Sequence, residues 1–213
     1  PEAENLLCYR HGPPKRLEVE RQEYPAWGGE FYGEPALKVD FPNGVRCSLL
    51  KYKEYSVNTD EAAEELIITL EDSGYPLEVR LHYLVDADTE IIERWSEIIN
   101  NGNATITLRS ALSANFNLPR IEHDYRLSHL SGRWGKENKI ECQSINQSKI
   151  ILESRTGMSG HLAAPFFAID DGTATENGGE IWFGTLQWSG NWKIAVERNA
   201  YEEVSITGGI SDW

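Results

Sequence analysis

Cysteine, basic residues and long apolar runs are all in short supply in this chain, and each shortage removes a class of function. Cys8, Cys47 and Cys142 are the three cysteines, widely spaced and without a C-x-x-C pair. Neither a zinc site nor a dithiol redox centre is expected from that spacing. They read as small buried hydrophobes, with one disulfide open to them if the parent protein is secreted. Lysine and arginine number 20 against 34 acidic residues, a formal net charge of −14. Nucleic acids and anionic membrane surfaces both require clustered cations, so neither is an expected partner. No apolar run approaches the roughly 18 residues that span a bilayer, and no basic-then-apolar leader opens the chain. Two glycosylation sequons, at Asn103 and Asn146, leave the compartment open. Sugars, being neutral, are neither favoured nor excluded by the charge.

What is abundant is period-two alternation. Leu77, Val79, Leu81, Tyr83 and Val85 are apolar, with Glu78, Arg80, His82 and Asp86 between or beside them. Successive strand side chains point to opposite faces, so such a stretch buries one face and wets the other. Ala104, Ile106, Leu108, Leu112 and Ala114 repeat the pattern. The turn Asn100-Asn101-Gly102 predicts that Ile91–Ile99 folds back on this second run, because Asn-Gly tolerates the dihedrals of a tight hairpin. Pro42-Asn43-Gly44 predicts another hairpin, between 37–41 and 45–50. Ser189-Gly190-Asn191 predicts a third, between 180–188 and 192–197. Leu66–Leu70, Ile150–Glu153 and Val204–Thr207 add short strands, and Gly172–Gly179 reads as a surface loop. Only Glu61–Glu65 looks briefly helical. With no linker or internal repeat, residues 1–213 read as a single all-β sandwich domain.

Residues capable of chemistry are present, but none stands in a specific catalytic pattern. His161 follows Arg155-Thr156-Gly157-Met158-Ser159-Gly160, a polar loop where a histidine orients a sugar, shuttles a proton or holds the backbone. His123, Asp124 and His129 are metal-ligand types at a spacing that fits no common zinc motif, and no metal is expected. A G-x-S-x-G nucleophile elbow is missing, and Gly28-Gly29 lacks the downstream pattern of a phosphate loop. Trp27, Trp134, Trp182, Trp188 and Trp192 lie near turns or strand ends, where an indole face can stack on a pyranose ring. Of these, Trp182 and Trp188 sit in a strand pattern and read as core, whereas Trp192, beside a turn, reads as exposed.

Several blocks occur together in a telling order. Glu23-Tyr24-Pro25, Gly29-Glu30-Phe31 and Glu34-Pro35-Ala36-Leu37 come first. Leu112-Ser113-Ala114 and the run Leu127–Trp134 follow, then Arg155-Thr156-Gly157 through His161 to Pro165-Phe166. Gly179-Glu180 through Ser189-Gly190-Asn191-Trp192 completes the set. From about Glu23 to Ile210 the chain thereby resembles the N-terminal region of glycoside hydrolase family 36, the α-galactosidases. It departs from the family at Tyr32-Gly33, where an arginine is usual, and at Gly160, Leu162 and Ala164, around the family's histidine. Glu30 holds an acidic position.

The resemblance implies a galactose-mutarotase-like β-supersandwich of two antiparallel sheets, packed against a separate (β/α)8 barrel. That barrel would follow Ile210–Trp213 and carry the two catalytic aspartates of a retaining hydrolysis of α-galactosides. A barrel needs about 250 residues of alternating strand and helix, and this chain has no such alternation. The resemblance therefore implies no catalytic residue and no cofactor here. It implies a domain that supports the barrel and a homo-oligomer, with Glu30, His161, Asn191 and Trp192 at the rim of a sugar pocket or at an interface. Two other readings share the fold. One is a self-sufficient mutarotase using His161 with Glu180 or Glu141, and the other is a stand-alone carbohydrate-binding module.

Overall fold

An alternating strand gains most by laying its apolar face on another sheet. The computed structural model describes residues 22–28, 31, 33–59, 63–86, 88–89, 91–146, 149–199 and 202–211. Among them there are strands, turns and bends, and no helix. β1 (Leu37–Asp40) is followed by β2 (Leu50–Thr59), β3 (Ala63–Asp72), β4 (Leu77–Asp86) and β5 (Ile92–Asn100). The last four form an antiparallel meander, and β1 pairs instead with β6 (Thr107–Ala111). β7 (Ala114–Leu118) is the edge of a second four-stranded sheet, whose order from the other edge is β10 (Lys149–Ser154), β13 (Trp192–Arg198), β14 (Val204–Ile210) and then β7. A third sheet runs β12 (Ile181–Thr185), β11 (Phe166–Asp170), β8 (Arg126–Arg133), β9 (Lys136–Ser144).

Two apolar cores follow from these pairings. In the first, Leu77, Val79 and Leu81 of β4 cluster with Leu37 and Val39 of β1, and with Tyr24, Phe41 and Leu112. In the second, Leu127 and Ile169 of the third sheet meet Trp192, Ile194, Val196 and Ile206 of the second. Burying each aliphatic side chain is worth about 1.5–3 kcal/mol relative to exposure. A polar seam joins the two halves. Each side of it is pinned internally, Leu112 N–H donating to Ala36 C=O at 2.8 Å in the first half and Thr207 Oγ1 to Asn115 Oδ1 at 2.7 Å in the second. Arg94 and Glu34 cross between them. Arg94 reaches from β5 to Asn115 C=O at 2.5 Å and pairs with Glu23 at 2.8 Å. At the same seam Glu34 accepts from Lys38, Lys149 and Lys193 at 2.5–2.9 Å, while its own N–H donates to Glu197. Buried polar groups are held in place here by protein partners.

The antiparallel all-β sandwich expected from alternation is the architecture found, but its strands divide into four sheets rather than two. Three hairpin expectations fail. The turn at Asn43-Gly44 forms, with Phe41 N–H donating to Val45 C=O at 2.9 Å. However, β1 spends its ladder on β6, and residues 45–49 form no strand. β5 pairs with β4, not with the run that follows it. That run divides at Leu112 into β6 and β7, which belong to different sheets. β12 and β13 likewise lie in different sheets, so 186–191 crosses between them. Of Glu61–Glu65, residues 63–65 open β3 as strand, paired with Asp86–Leu84, because tertiary pairing overrides a weak helical preference. Cys47 and Cys142 are free thiols, and Cys8 lies outside the described residues.

Candidate functional site

The loop from 155 to 165, between β10 and β11, and the loop from 186 to 191, between β12 and β13, meet at one end of the second core. Each is short of regular partners, and side chains supply them. Ser154 and Thr156 hydroxyls donate to Met158 C=O at 3.0 and 2.8 Å, closing the first loop on itself. Gly157 turns with φ +84°, a conformation glycine adopts without steric cost. Its N–H donates to Asn191 Oδ1 at 2.7 Å. Ser159 N–H donates to Ser189 C=O at 2.7 Å. Ser159 Oγ accepts from Trp192 Nε1 at 3.0 Å. Gly190 passes so close under Trp188 that a Cβ there would lie 2.5 Å from the indole nitrogen.

Three of the four predicted site residues are therefore placed, in different roles. His161 is exposed on the first loop. Asn191 fastens the second loop to the first and also accepts from Ser211 N–H at 3.1 Å. Trp192, expected to be exposed, is fully buried, and Trp188, expected to be core, is 46% exposed. Trp192 opens β13 on the face that packs between two sheets, and a turn beside it in sequence says nothing about that face. Trp182 is half-buried against the second core. Glu30 lies outside the described residues. The residue that sequence reasoning missed is Ser159, whose hydroxyl couples the loops. Its signal was present in the Met158-Ser159-Gly160 run, beside the histidine that drew attention.

Exposed apolar and aromatic side chains flank the loops beside the charged Arg155 and Glu137. Trp134, at the β8–β9 turn, is 87% exposed, and Leu162 and Met158 also face outward. The carboxylate that feels His161 is Glu137, held below the usual range by Gly135 N–H first and only weakly by the imidazole. Among the described residues no hydrogen bond or ion pair joins His161 to Glu141 or Glu180. Glu141 instead lies opposite His129 in the β8–β9 ladder. Elsewhere His82 and Glu65 form a pair, but Nδ1 and Oε1 touch at 2.9 Å, leaving no space for a sugar ring between them. Among the described residues no group of three or more His, Cys, Asp or Glu side chains is placed to hold a metal ion. Asp124 is engaged by Arg198 at 2.6 Å. Two braced loops with an exposed histidine and tryptophans can hold a partner or a neutral ligand. They contain no facing pair of carboxyl groups with which to cleave one.

Comparison with known proteins gives this end a context. The α-galactosidase AgaA of Geobacillus stearothermophilus is 30% identical over 210 residues, which is 92% of this chain and 28% of that protein. Alpha-galactosidase Mel36A of Lactobacillus acidophilus is 28% identical over 207 residues, 90% of this chain and 28% of its own. The crystal structure of AgaA superposes with a TM-score of 0.84 at 31% identity, covering 89% of this chain and 28% of that one. The chain thus spans little more than a quarter of the length of the relatives it matches. The sequence model of the glycosyl hydrolase family 36 N-terminal domain matches residues 2–213, and the chain belongs to that family.

Proposed function

We propose that residues 1–213 act as one accessory unit of an α-galactosidase, ordering and covering a catalytic (β/α)8 barrel without taking part in bond cleavage. The observation that carries this reading is the family match over residues 2–213 combined with coverage of only 28% of the α-galactosidase relatives. A variant of AgaA has been crystallised with stachyose, so α-galactosides are the substrate class proposed for the parent protein. The coupled loops at 155–165 and 186–191 are the surface offered to the barrel or to a neighbouring subunit of a homo-oligomer. Rigid loops suit that work, because an interface surface that is already ordered loses little entropy on docking.

Hydrogen exchange tests the reading. Amides of 157–162 and 188–191 are expected to exchange more slowly in the full-length protein than in the isolated chain, by about tenfold or more. Equal rates in the two would remove these loops from the interface and with them the proposed role of His161.

A further inference from the structure

Three turns converge at the far end of the first core. The turn after β1 brings Phe41, Pro42 and Asn43, the β3–β4 turn brings Tyr75 and Pro76, and the β5–β6 turn brings Asn100, Asn103 and Ala104. Between them lies a cleft of about 280 Å³. It is built from different strands than the loop pair described above.

The cleft is fastened in place. Asn43 Nδ2 donates to the Tyr75 hydroxyl at 3.0 Å, linking the first turn to the second. Asn101 N–H donates to Pro76 C=O at 2.8 Å, linking the second to the third. Gly102 packs so tightly on Pro76 that a Cβ would fall 2.6 Å from the ring. Within the third turn, Asn100 accepts from Gly102 N–H at 3.0 Å and donates to Ala104 C=O at 2.8 Å. Phe41 and Tyr75 stack with centroids 3.7 Å apart and 10° between planes, so the aromatic wall cannot swing independently.

The lining selects a chemistry. None of its side chains is charged, in a chain with 54 Lys, Arg, Asp and Glu residues (20 + 34). An ionic ligand would find no counter-charge there. Phe41 is buried beneath Tyr75. The outer face of Tyr75 and the proline rings are therefore what can accept the C–H face of a ring, the electron-rich aromatic face attracting its positive hydrogens. Asparagine amides stand at the mouth. Asn43 and Asn100 each donate one Nδ2–H internally, which leaves the second N–H of each for a hydroxyl, and Asn103 is exposed with both. A mostly apolar, preformed cleft with a few convergent amides is the build of a neutral small-molecule site. We infer that this cleft binds a hexopyranoside, at a position separate from the loop-bearing end.

Heteronuclear NMR of the 15N-labelled chain tests it, with methyl α-D-galactopyranoside and methyl α-D-glucopyranoside as probes. Saturable shifts at the side-chain amides of Asn43, Asn100 and Asn103, with a Kd on the order of millimolar, are expected for at least one of the two. Ala104→Trp, placed on an exposed turn, fills the cleft and is expected to weaken binding about tenfold or more while the remaining spectrum stays folded. Tyr75→Phe keeps the ring but removes the Asn43–Tyr75 hydrogen bond, and is expected to weaken binding by less than Ala104→Trp does. An absence of shifts with both sugars overturns the inference. So does a response to indole without one to sugar, which would mark a generic apolar cleft, and so does unchanged sugar binding in Ala104→Trp.

Discussion

Trp192 shows how one side chain can tie a core to a loop. Its ring is buried between two sheets, and its one polar atom reaches Ser159. Replacing Ser159 by Ala removes this hydrogen bond and is expected to cost on the order of 1 kcal/mol in urea unfolding, whereas Trp192→Phe also leaves a cavity and is expected to cost about 2–3 kcal/mol. In the double variant the two costs are expected to fall short of additive, since both act on one interaction. Glu34 makes the complementary case for charge. Burial alone would raise its pKa, but hydrogen bonds from Lys149, Lys193 and Lys38 prevail and hold it at about 2. The folded-state value lies below the unfolded one of about 4.5. The stabilisation is therefore present above pH 4.5 and is lost as pH falls toward 2. Glu34→Gln is expected to lower stability at pH 7 by on the order of 2 kcal/mol, a figure discounted because the three lysines are partly in water. The gap from wild type is expected to narrow below pH 4 and vanish near pH 2, as followed by unfolding at stepped pH.

At the scale of elements, two glycines that look alike in sequence do different work. Gly44, in Asn43-Gly44, has φ +82° and open space where a Cβ would go. Gly102, in Asn101-Gly102, has no positive φ and is pressed against Pro76. Gly44→Ala is expected to cost about 1 kcal/mol through backbone strain alone. Gly102→Ala is expected to cost about 1–3 kcal/mol through overpacking and to perturb the amides of the β3–β4 turn. Urea unfolding and amide shifts distinguish the two. The pair also shows what was legible beforehand. Both turns were legible from Asn-Gly, because turn chemistry is local. The partner of each strand was not, because β1 and β5 meet their partners through core burial far away in sequence. The same holds at 186–191, where a turn signal marked a crossing between sheets. Alternation in β4 gave Leu77, Val79 and Leu81 as core. But Val85 is exposed, and Glu78 and His82 on the opposite face are buried beside Lys53 and Glu65, because neighbouring strands cover the second face as well. For the candidate site, the loops were legible from glycine and serine content. Which tryptophan faces solvent was not, because that depends on which face of β13 the second core covers.

Across the whole molecule, the described residues build two packed cores joined by a polar seam, with braced loops at one end and a three-turn cleft at another. The most deeply buried large side chains are apolar. Among the described residues His123 and His161 are exposed, His82 is bonded directly to a carboxylate, and His129 is half-buried with its Nδ1 unpaired. A retaining glycosidase requires two carboxyl groups facing each other at roughly 5 Å across a bound sugar, and neither 155–165 nor 186–191 contains an aspartate or glutamate. The role proposed for this chain is that of an accessory unit beside a separate catalytic barrel. Its most direct test is turnover of 4-nitrophenyl α-D-galactopyranoside by the purified 213-residue chain. The expected result is release of nitrophenol at the uncatalysed rate. Sustained, saturable release that survives repeated purification would contradict the account.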